Sequence, residues 1–147
     1  MESFADLGYI GLFLSSFLAA TILPLSSEII LGLLLVNNFN PLLLIFFATT
    51  GNVLGSFVNY ALGAMGSMVL IKKILKFNET DYAKTKKRFG KYGLASLLFA
   101  WVPVIGDPLT IVAGALRINL WLFFILVATG KLIRYVLVSY AVLKNIQ

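Results

Sequence analysis

Two acidic and two basic residues lie inside long apolar stretches of this 147-residue chain, and these four are the best candidates for chemistry. They are Glu28, Asp107, Lys131 and Arg134. A charged side chain in a lipid-facing segment is costly, so such groups usually face protein or water and mark a functional site. If the segments that carry Glu28 and Asp107 meet, the repulsion between them would favour protonation of one carboxylate. A site that exchanges protons with bulk water is therefore one prediction.

Each acid also has a structural interpretation, which stays open. Glu28 begins an apolar run, so it could be an acid at a helix N-terminus that compensates the helix dipole at the membrane surface. Asp107 lies between Gly106 and Pro108, where an aspartate can bond to its own backbone and reverse the chain. Neither interpretation excludes a role at a buried site.

The two cations are three residues apart, which places Lys131 and Arg134 on one face of a helix. They could neutralise Glu28 and Asp107, or they could bind an anionic lipid headgroup. A buried ion pair that only fixes the packing of helices is the third interpretation.

The second apolar stretch carries a polar stripe. Three polar residues and a glycine share one helical face: Asn52, Ser56, Asn59 and Gly63. Gly51 and Gly55 form a pair of small residues beside this stripe, a spacing typical of helices that pack closely in membranes. We expect the glycines to form a helix contact and the two asparagines to line a polar cavity.

The composition excludes most other chemistry. The chain is 60% hydrophobic and 12% charged, whereas soluble domains are about 25% charged, so the predicted solvent is lipid. Cysteine and histidine are both absent. Their absence removes disulfides, thiol nucleophiles, histidine proton shuttles and the usual zinc sites. The chain also has no glycine-rich dinucleotide or phosphate-binding motif, so we expect no metal, no cofactor and no enzymatic activity.

Four apolar segments must position these residues, and prolines interrupt two of them. The segments span residues 7–36, 41–75, 92–116 and 120–143. We expect Pro24 to break the first segment, and Pro103, Gly106 and Pro108 to break the third by ending or kinking helices. The arms on either side are short beside the roughly 20 residues of a full span. They predict re-entrant hairpins with tips enclosed by protein or water; two full crossings are the alternative.

A broken segment followed by a continuous one occurs on each side of a basic middle. We predict a single membrane domain over residues 1–147, with a first half at 1–75, a connector at 76–91 and a second half at 92–147. If the connector is cytoplasmic, the two halves have opposite orientations, as in the inverted repeats of transporters. The predicted fold class is an all-α integral membrane protein with two re-entrant helical hairpins and transmembrane helices.

The basic residues are concentrated between Lys72 and Lys91, which hold eight of the twelve. Positive residues accumulate on the cytoplasmic side of membranes, so we expect segment 72–91 to be cytoplasmic. A nucleic-acid-binding patch is the less favoured alternative. Acids after Asn78 and cations before Gly90 predict a short amphipathic helix, either on the inner membrane surface or as a solvated connector. The first apolar run has no early basic residue, so we expect it to remain as structure rather than act as a secretory signal.

Several short motifs resemble those of the DedA proteins and the wider VTT group of SNARE-associated Golgi proteins. The motifs are Leu23-Pro24-Leu25-Ser26-Ser27-Glu28, Gly51-Asn52-Val53-Leu54-Gly55, Tyr60-Ala61-Leu62-Gly63, Lys91-Tyr92-Gly93, Trp101-Val102-Pro103-Val104-Ile105-Gly106-Asp107 and Ala113-Gly114. The resemblance covers nearly the whole chain. The 101–107 string, the 130–135 string and the short length look most like the YqaA-type branch.

This resemblance implies two facing re-entrant hairpins and a role in lipid translocation, either of polyprenyl-phosphate carriers or of phospholipids. Glu28 matches the family's first acidic position, which the family links to proton dependence. The family's usual arginines fall at Ala100 and Gly106, and its second acid falls at Ser56. Lys131 or Arg134 would then supply the positive charge.

The preferred hypothesis is therefore a flippase-like or scramblase-like transporter of a phosphate-bearing lipid in the bacterial inner membrane. Its expected partner is the lipid headgroup, with association of identical chains left open. A non-transporting membrane scaffold or envelope-maintenance protein is the alternative. An intramembrane aspartyl hydrolase is disfavoured, because that chemistry needs a second aspartate in an apolar segment beside Asp107.

Overall fold

The protein is described by a computed structural model covering residues 2–21, 27–66, 79–102 and 105–146. Every regular element in these ranges is a helix. The elements are α1 (Glu2–Thr21), α2 (Ser27–Val36), α3 (Pro41–Ala64), α4 (Glu79–Tyr92), a 3₁₀ helix (Gly93–Trp101), α5 (Gly106–Ala115) and α6 (Leu120–Ile146). The all-α prediction is confirmed for this part of the chain.

Helices α3 and α6 are long and apolar enough to cross a membrane. Both begin at an asparagine cap. The Asn40 Oδ1 accepts the backbone N–H groups of residues 42 and 43, at 2.9 and 3.4 Å. The Asn119 Oδ1 accepts those of residues 121 and 122 at the same distances. Each cap satisfies donors that a helix N-terminus leaves free.

The turn before each long helix has the same hydrogen bonds. At the end of α2, Asn38 adopts a left-handed φ of 61°, and the Phe39 N–H donates to the Leu34 carbonyl. At the end of α5, Arg117 adopts a φ of 51°, and the Ile118 N–H donates to the Ala113 carbonyl. This is the Schellman pattern of helix ends. The second turn follows the first by 79 residues. Asn52 and Lys131, which are hydrogen-bonded to each other, are separated by the same number of residues.

Two of the four residues predicted to break helices lie in the part of the chain that the structure describes, and one of these two predictions needs correction. Pro24 and Pro103 lie outside the described residues, in the gaps after Thr21 and after Val102. Gly106 lies where α5 begins, and its backbone packs against the Ala100 carbonyl so closely that a Cβ would overlap it. The expectation that Pro108 ends or kinks a helix is wrong. Pro108 lies in the first turn of α5, where its missing N–H has no intrahelical partner to lose.

Helix α3 is shorter than the second apolar segment. The apolar run from residue 41 predicts one continuous segment to about residue 75, but α3 ends at Ala64. Gly66 then adopts a left-handed φ of 66°, and its N–H donates to the Gly63 carbonyl. Glycine reaches this conformation without the Cβ clash of other residues, so it ends the helix inside an apolar run.

The glycines of α3 bring three helices into backbone contact. A Cβ at Gly51 would overlap the Phe13 carbonyl of α1, and a Cβ at Gly63 would overlap the Ile111 carbonyl of α5. Gly114 of α5 lies equally close to the Tyr60 carbonyl of α3. The expected glycine contact is therefore present, and α3 packs on α1 with one part and on α5 with the other. Helix α6 packs on the 3₁₀ helix, α2 and α3.

Two apolar clusters lie at different levels along α3 and α6. One contains Leu44 and Ala48 of α3 with Tyr135 of α6, and the other contains Phe123 and Val127 of α6. The residues between these levels on both helices include polar side chains. The packing therefore encloses a polar layer near the middle of the two long helices.

Helix α4 confirms the predicted amphipathic helix, and it continues through Gly90 to Tyr92. Phe89 is buried in the apolar cluster of the second half, and Thr85 is buried one turn before it. The cations of α4 are exposed: Lys84, Lys86, Lys87, Arg88 and Lys91. The buried face thus packs against protein and the cations face outward.

Candidate functional site

Three polar side chains on one face of α6 bond to other helices. Lys131, Arg134 and Tyr135 lie near the middle of this helix. Their spacing of three and four residues places them on the same side. Lys131 and Tyr135 are buried, with 2% and 1% exposed, and Arg134 is partly buried.

Glu28 of α2 is bound to Arg134. Both Nε and Nη2 of Arg134 contact the Glu28 Oε1, and Nη1 donates to the Trp101 carbonyl at 2.8 Å. The side chains of Arg134 and Glu28 are 19% and 25% exposed. All three guanidinium nitrogens are engaged, and the pair remains open to an incoming group.

Asp107 of α5 is bound to Lys131, with 3.5 Å between Oδ1 and Nζ. The Lys131 ammonium also contacts the Asn52 Oδ1 of α3. The Lys131 side chain is 3% exposed and the Asp107 side chain 37% exposed. The carboxylate is therefore accessible, whereas the ammonium is enclosed.

Tyr135 connects α6 to α2 and α3. Its hydroxyl lies 2.8 Å from the Ser27 Oγ and 3.0 Å from the Asn52 Nδ2. Asn52 thus contacts both Lys131 and Tyr135. A continuous series of hydrogen bonds runs from Ser27, through Tyr135, Asn52 and Lys131, to Asp107.

The other two residues of the polar stripe do not reach the ion pairs. The Ser56 hydroxyl donates to the Asn52 carbonyl one turn earlier, at 3.1 Å. The Asn59 Nδ2 donates to the Ala20 carbonyl at 2.8 Å and to the Thr110 Oγ1 at 3.2 Å. Asn59 therefore joins α1, α3 and α5, a packing contact rather than a cavity lining.

The ion pairs match the sequence interpretation in which Lys131 and Arg134 neutralise Glu28 and Asp107. Each carboxylate has its own cation, and the two cations are three residues apart on α6. The four formal charges sum to zero, which offsets much of the cost of placing them in an apolar layer. Within the described ranges, no group of three acidic, histidine or cysteine residues could hold a metal ion.

The sequence interpretation missed Tyr135, Ser27 and the Trp101 carbonyl. Tyr135 has a usable signal, since it lies four residues after Lys131 and hence on the same helical face. Ser27 precedes Glu28, but a hydroxyl in such a position commonly caps its own helix. The Trp101 carbonyl has no sequence signal, because any residue type supplies it.

Comparison with known proteins places the chain in a family. The VTT domain matches residues 7–144. The chain is 36% identical to the inner membrane protein YqaA of Escherichia coli, over 95% of this chain and 94% of that protein. It is 36% identical to an uncharacterized protein of Haemophilus influenzae, over 85% and 81% of the two chains. An alkaline phosphatase-like protein of Lactococcus lactis is 30% identical over 90% of this chain and 68% of that protein. No solved structure matches.

The similarity to YqaA spans nearly the full length of both chains, and the matched region includes both long apolar helices and both ion pairs. The chain therefore belongs to the VTT-domain (DedA) family of membrane proteins.

Proposed function

We propose that this protein moves a phosphate-bearing lipid, such as a polyprenyl phosphate or a phospholipid, across the bacterial inner membrane. The headgroup would pass through the polar layer while the acyl or prenyl chains stay in the bilayer. The proposal involves binding and movement without a covalent step. It needs an accessible cation near the middle of the membrane-spanning helices, and Arg134 fits that description.

The contact between Arg134 and Glu28 is the observation that best supports this proposal. A guanidinium group binds carboxylate and phosphate in the same bidentate manner. The Arg134 nitrogens that contact Glu28 are therefore those that would hold a phosphate. A lipid phosphate would replace Glu28 on Arg134, and Glu28 would return when the headgroup leaves.

In this scheme Glu28 competes with the lipid and also resets the site. Once displaced, its carboxylate loses a cation and becomes the group that would take up a proton from water. This step is the basis of a proton-linked form of the proposal. Asp107 keeps its own cation, Lys131, throughout.

We also propose that the two halves form an inverted repeat with re-entrant hairpins. Pro24, Glu28 and Asn40 have counterparts 79 residues later in Pro103, Asp107 and Asn119, the separation that also relates Asn52 to Lys131. Asn52 and Lys131 contact each other. A contact between equivalent residues is expected on a two-fold axis, so the polar layer would surround that axis.

The proposed orientation places segment 72–91 in the cytoplasm. The exposed cations of α4 favour the cytoplasmic face, and the relative from Escherichia coli is described as an inner membrane protein. All residues of the proposed site belong to one chain. The scheme therefore requires no second copy of the protein.

Replacing Arg134 with glutamine should raise the half-saturating lipid fraction for transport about 30-fold, because a charge-assisted contact to phosphate is lost. Purified protein in phosphatidylcholine vesicles would be assayed with fluorescent phosphatidylglycerol and polyprenyl phosphate at several mole fractions. Fluorescent glucosylceramide, which has no phosphate, is the control lipid. Glu28→Gln should lower the half-saturating fraction and also the maximal rate, since release becomes slow.

Equal kinetics in wild type, Arg134→Gln and Glu28→Gln would contradict the assigned roles. Equal transport of glucosylceramide and the phosphate lipids would contradict phosphate recognition. Lys144→Gln, an exposed cation on the same helix, provides the matched control for loss of charge.

A further inference from the structure

A buried hydroxyl on α6 contacts both α2 and α3 beside the two ion pairs. Tyr135 is 1% exposed, and the proposed transport scheme assigns it no role. Its hydroxyl contacts Ser27, the first residue of α2, and Asn52 in the middle of α3. Ser27 directly precedes Glu28 in the chain. Asn52 contacts Lys131, the cation of the other ion pair.

The donors and acceptors from Lys131 through Asn52 to Tyr135 have one consistent direction. An ammonium group only donates hydrogen bonds, so the Asn52 atom facing Lys131 is the carbonyl oxygen Oδ1. The Asn52 Nδ2 then faces Tyr135 and donates to its hydroxyl oxygen. The Tyr135 hydroxyl is also hydrogen-bonded to the Ser27 Oγ at 2.8 Å, and either oxygen can be the donor of this bond. Lys131 thus fixes the Asn52 amide, and this amide holds the tyrosine hydroxyl, which is bonded to α2.

The bond to Ser27 bears directly on Glu28. Ser27 and Glu28 are consecutive residues in the first turn of α2, so a fixed Ser27 limits how far the Glu28 backbone can move. The Arg134 side chain originates one residue before Tyr135. Tyr135 therefore joins the backbone positions from which Glu28 and Arg134 extend toward each other.

The second half of the chain lacks this bond. The residues 79 positions from Ser27 and Tyr135 are Gly106 and Ser56. Gly106 has no side chain to accept a hydrogen bond, and the Ser56 hydroxyl donates to the Asn52 carbonyl. Only the carboxylate that faces Arg134 is thus restrained through its neighbour.

We propose that Tyr135 is a positioning residue of the headgroup site: its hydroxyl holds Glu28 on Arg134 and so sets how readily a phosphate displaces that carboxylate. The inference rests on the proposed function of Arg134. It assigns Tyr135 no contact with the lipid.

Tyr135→Phe should lower the half-saturating fraction of phosphatidylglycerol about fivefold, because a weaker competitor remains on Arg134 and a hydrogen bond of ordinary strength is lost. A structural defect would instead reduce the folded amount without lowering the half-saturating fraction. Tyr140→Phe is the matched control, since Tyr140 lies on the same helix with 65% of its surface exposed. Ser27→Ala should act like Tyr135→Phe, whereas Ser27→Thr, which keeps a hydroxyl, should restore the wild-type value.

The Glu28→Gln background separates positioning from a general effect. If Tyr135 acts through the Glu28 carboxylate, Tyr135→Phe should cause no further fall in the half-saturating fraction there. An unchanged or raised value in the single variant would overturn the inference. So would an equal fall in the Glu28→Gln background.

If the wild-type protein moves no lipid, that result would contradict the proposed function alone. An infrared measurement then still tests whether Tyr135 positions Glu28. Protein labelled with carbon-13 glutamate gives carboxylate bands from Glu2, Glu28 and Glu79. The band lost in Glu28→Gln identifies Glu28. That band should shift in Tyr135→Phe and Ser27→Ala but not in Tyr140→Phe. Identical bands in all of these proteins would contradict the positioning role.

Discussion

Gly114→Ala should destabilise the folded protein by about 3 kcal/mol, the upper range for overpacking in a core. The new Cβ would overlap the Tyr60 carbonyl, and a backbone oxygen cannot rotate out of the way as a side chain can. Alanine gains up to about 1 kcal/mol of helix propensity over glycine, which is too little to offset the overlap. Denaturant unfolding in detergent micelles, followed by circular dichroism, would measure the loss.

Gly11→Ala is the matched control for this prediction. Gly11 also lies inside a helix, but a Cβ there meets no atom within 4 Å. This variant should be as stable as the wild type or slightly more stable. If Gly114→Ala were as stable as Gly11→Ala, the close contact between α3 and α5 would be wrong.

Lys131→Met should lower stability by about 2 kcal/mol. Removing one partner of a fully buried pair costs about 3–5 kcal/mol, and the smaller value is expected because the Asp107 side chain is not fully enclosed by protein. The substitution leaves the Asp107 carboxylate without its cation and the Asn52 Oδ1 without its donor. The same unfolding assay applies, with Lys144→Met as the exposed control on α6.

The double variant Lys131→Met/Asp107→Asn distinguishes pairing from packing. Removing both charges should recover much of the loss, because a neutral pair has no uncompensated charge to bury. Losses that simply add would show that Lys131 and Asp107 do not interact.

The sequence predicted the helices and the charged residues better than it predicted their partners. The asparagine at residue 40 and the apolar run after it mark the start of α3, because the capping signal is local. The end of α3 was harder to predict. A left-handed Gly66 stops the helix while hydropathy continues, and hydropathy alone does not report backbone conformation.

The ion pairs required tertiary structure. Glu28 could pair with either cation of α6, and nothing in the spacing of Lys131 and Arg134 decides between them. The assignment depends on where α2 and α5 pack against α6. Asn59 was predicted to line a cavity because it shares a face with Asn52, yet its bonds are to α1 and α5.

The 79-residue correspondence is a signal that the sequence does contain. Pro24 and Pro103, and Asn40 and Asn119, are visible as pairs once this separation is known. The separation itself emerges from the matching backbone bonds at the two turns. Single residues repeated at one spacing are too few to identify it beforehand.

Cross-linking of residues 28 and 134 tests most directly whether the two halves of the chain meet at the polar layer. The chain has no cysteine, so Glu28→Cys/Arg134→Cys introduces the only thiols. A short bifunctional thiol reagent would be applied in native membranes, followed by trypsin cleavage within the basic 72–91 segment. The matched control is Ile29→Cys/Arg134→Cys, because Ile29 is 65% exposed on another face of α2. The account predicts that the cleaved halves stay joined for the 28/134 pair and separate for the control. Separation of the halves for the 28/134 pair, or equal joining in both variants, would contradict it.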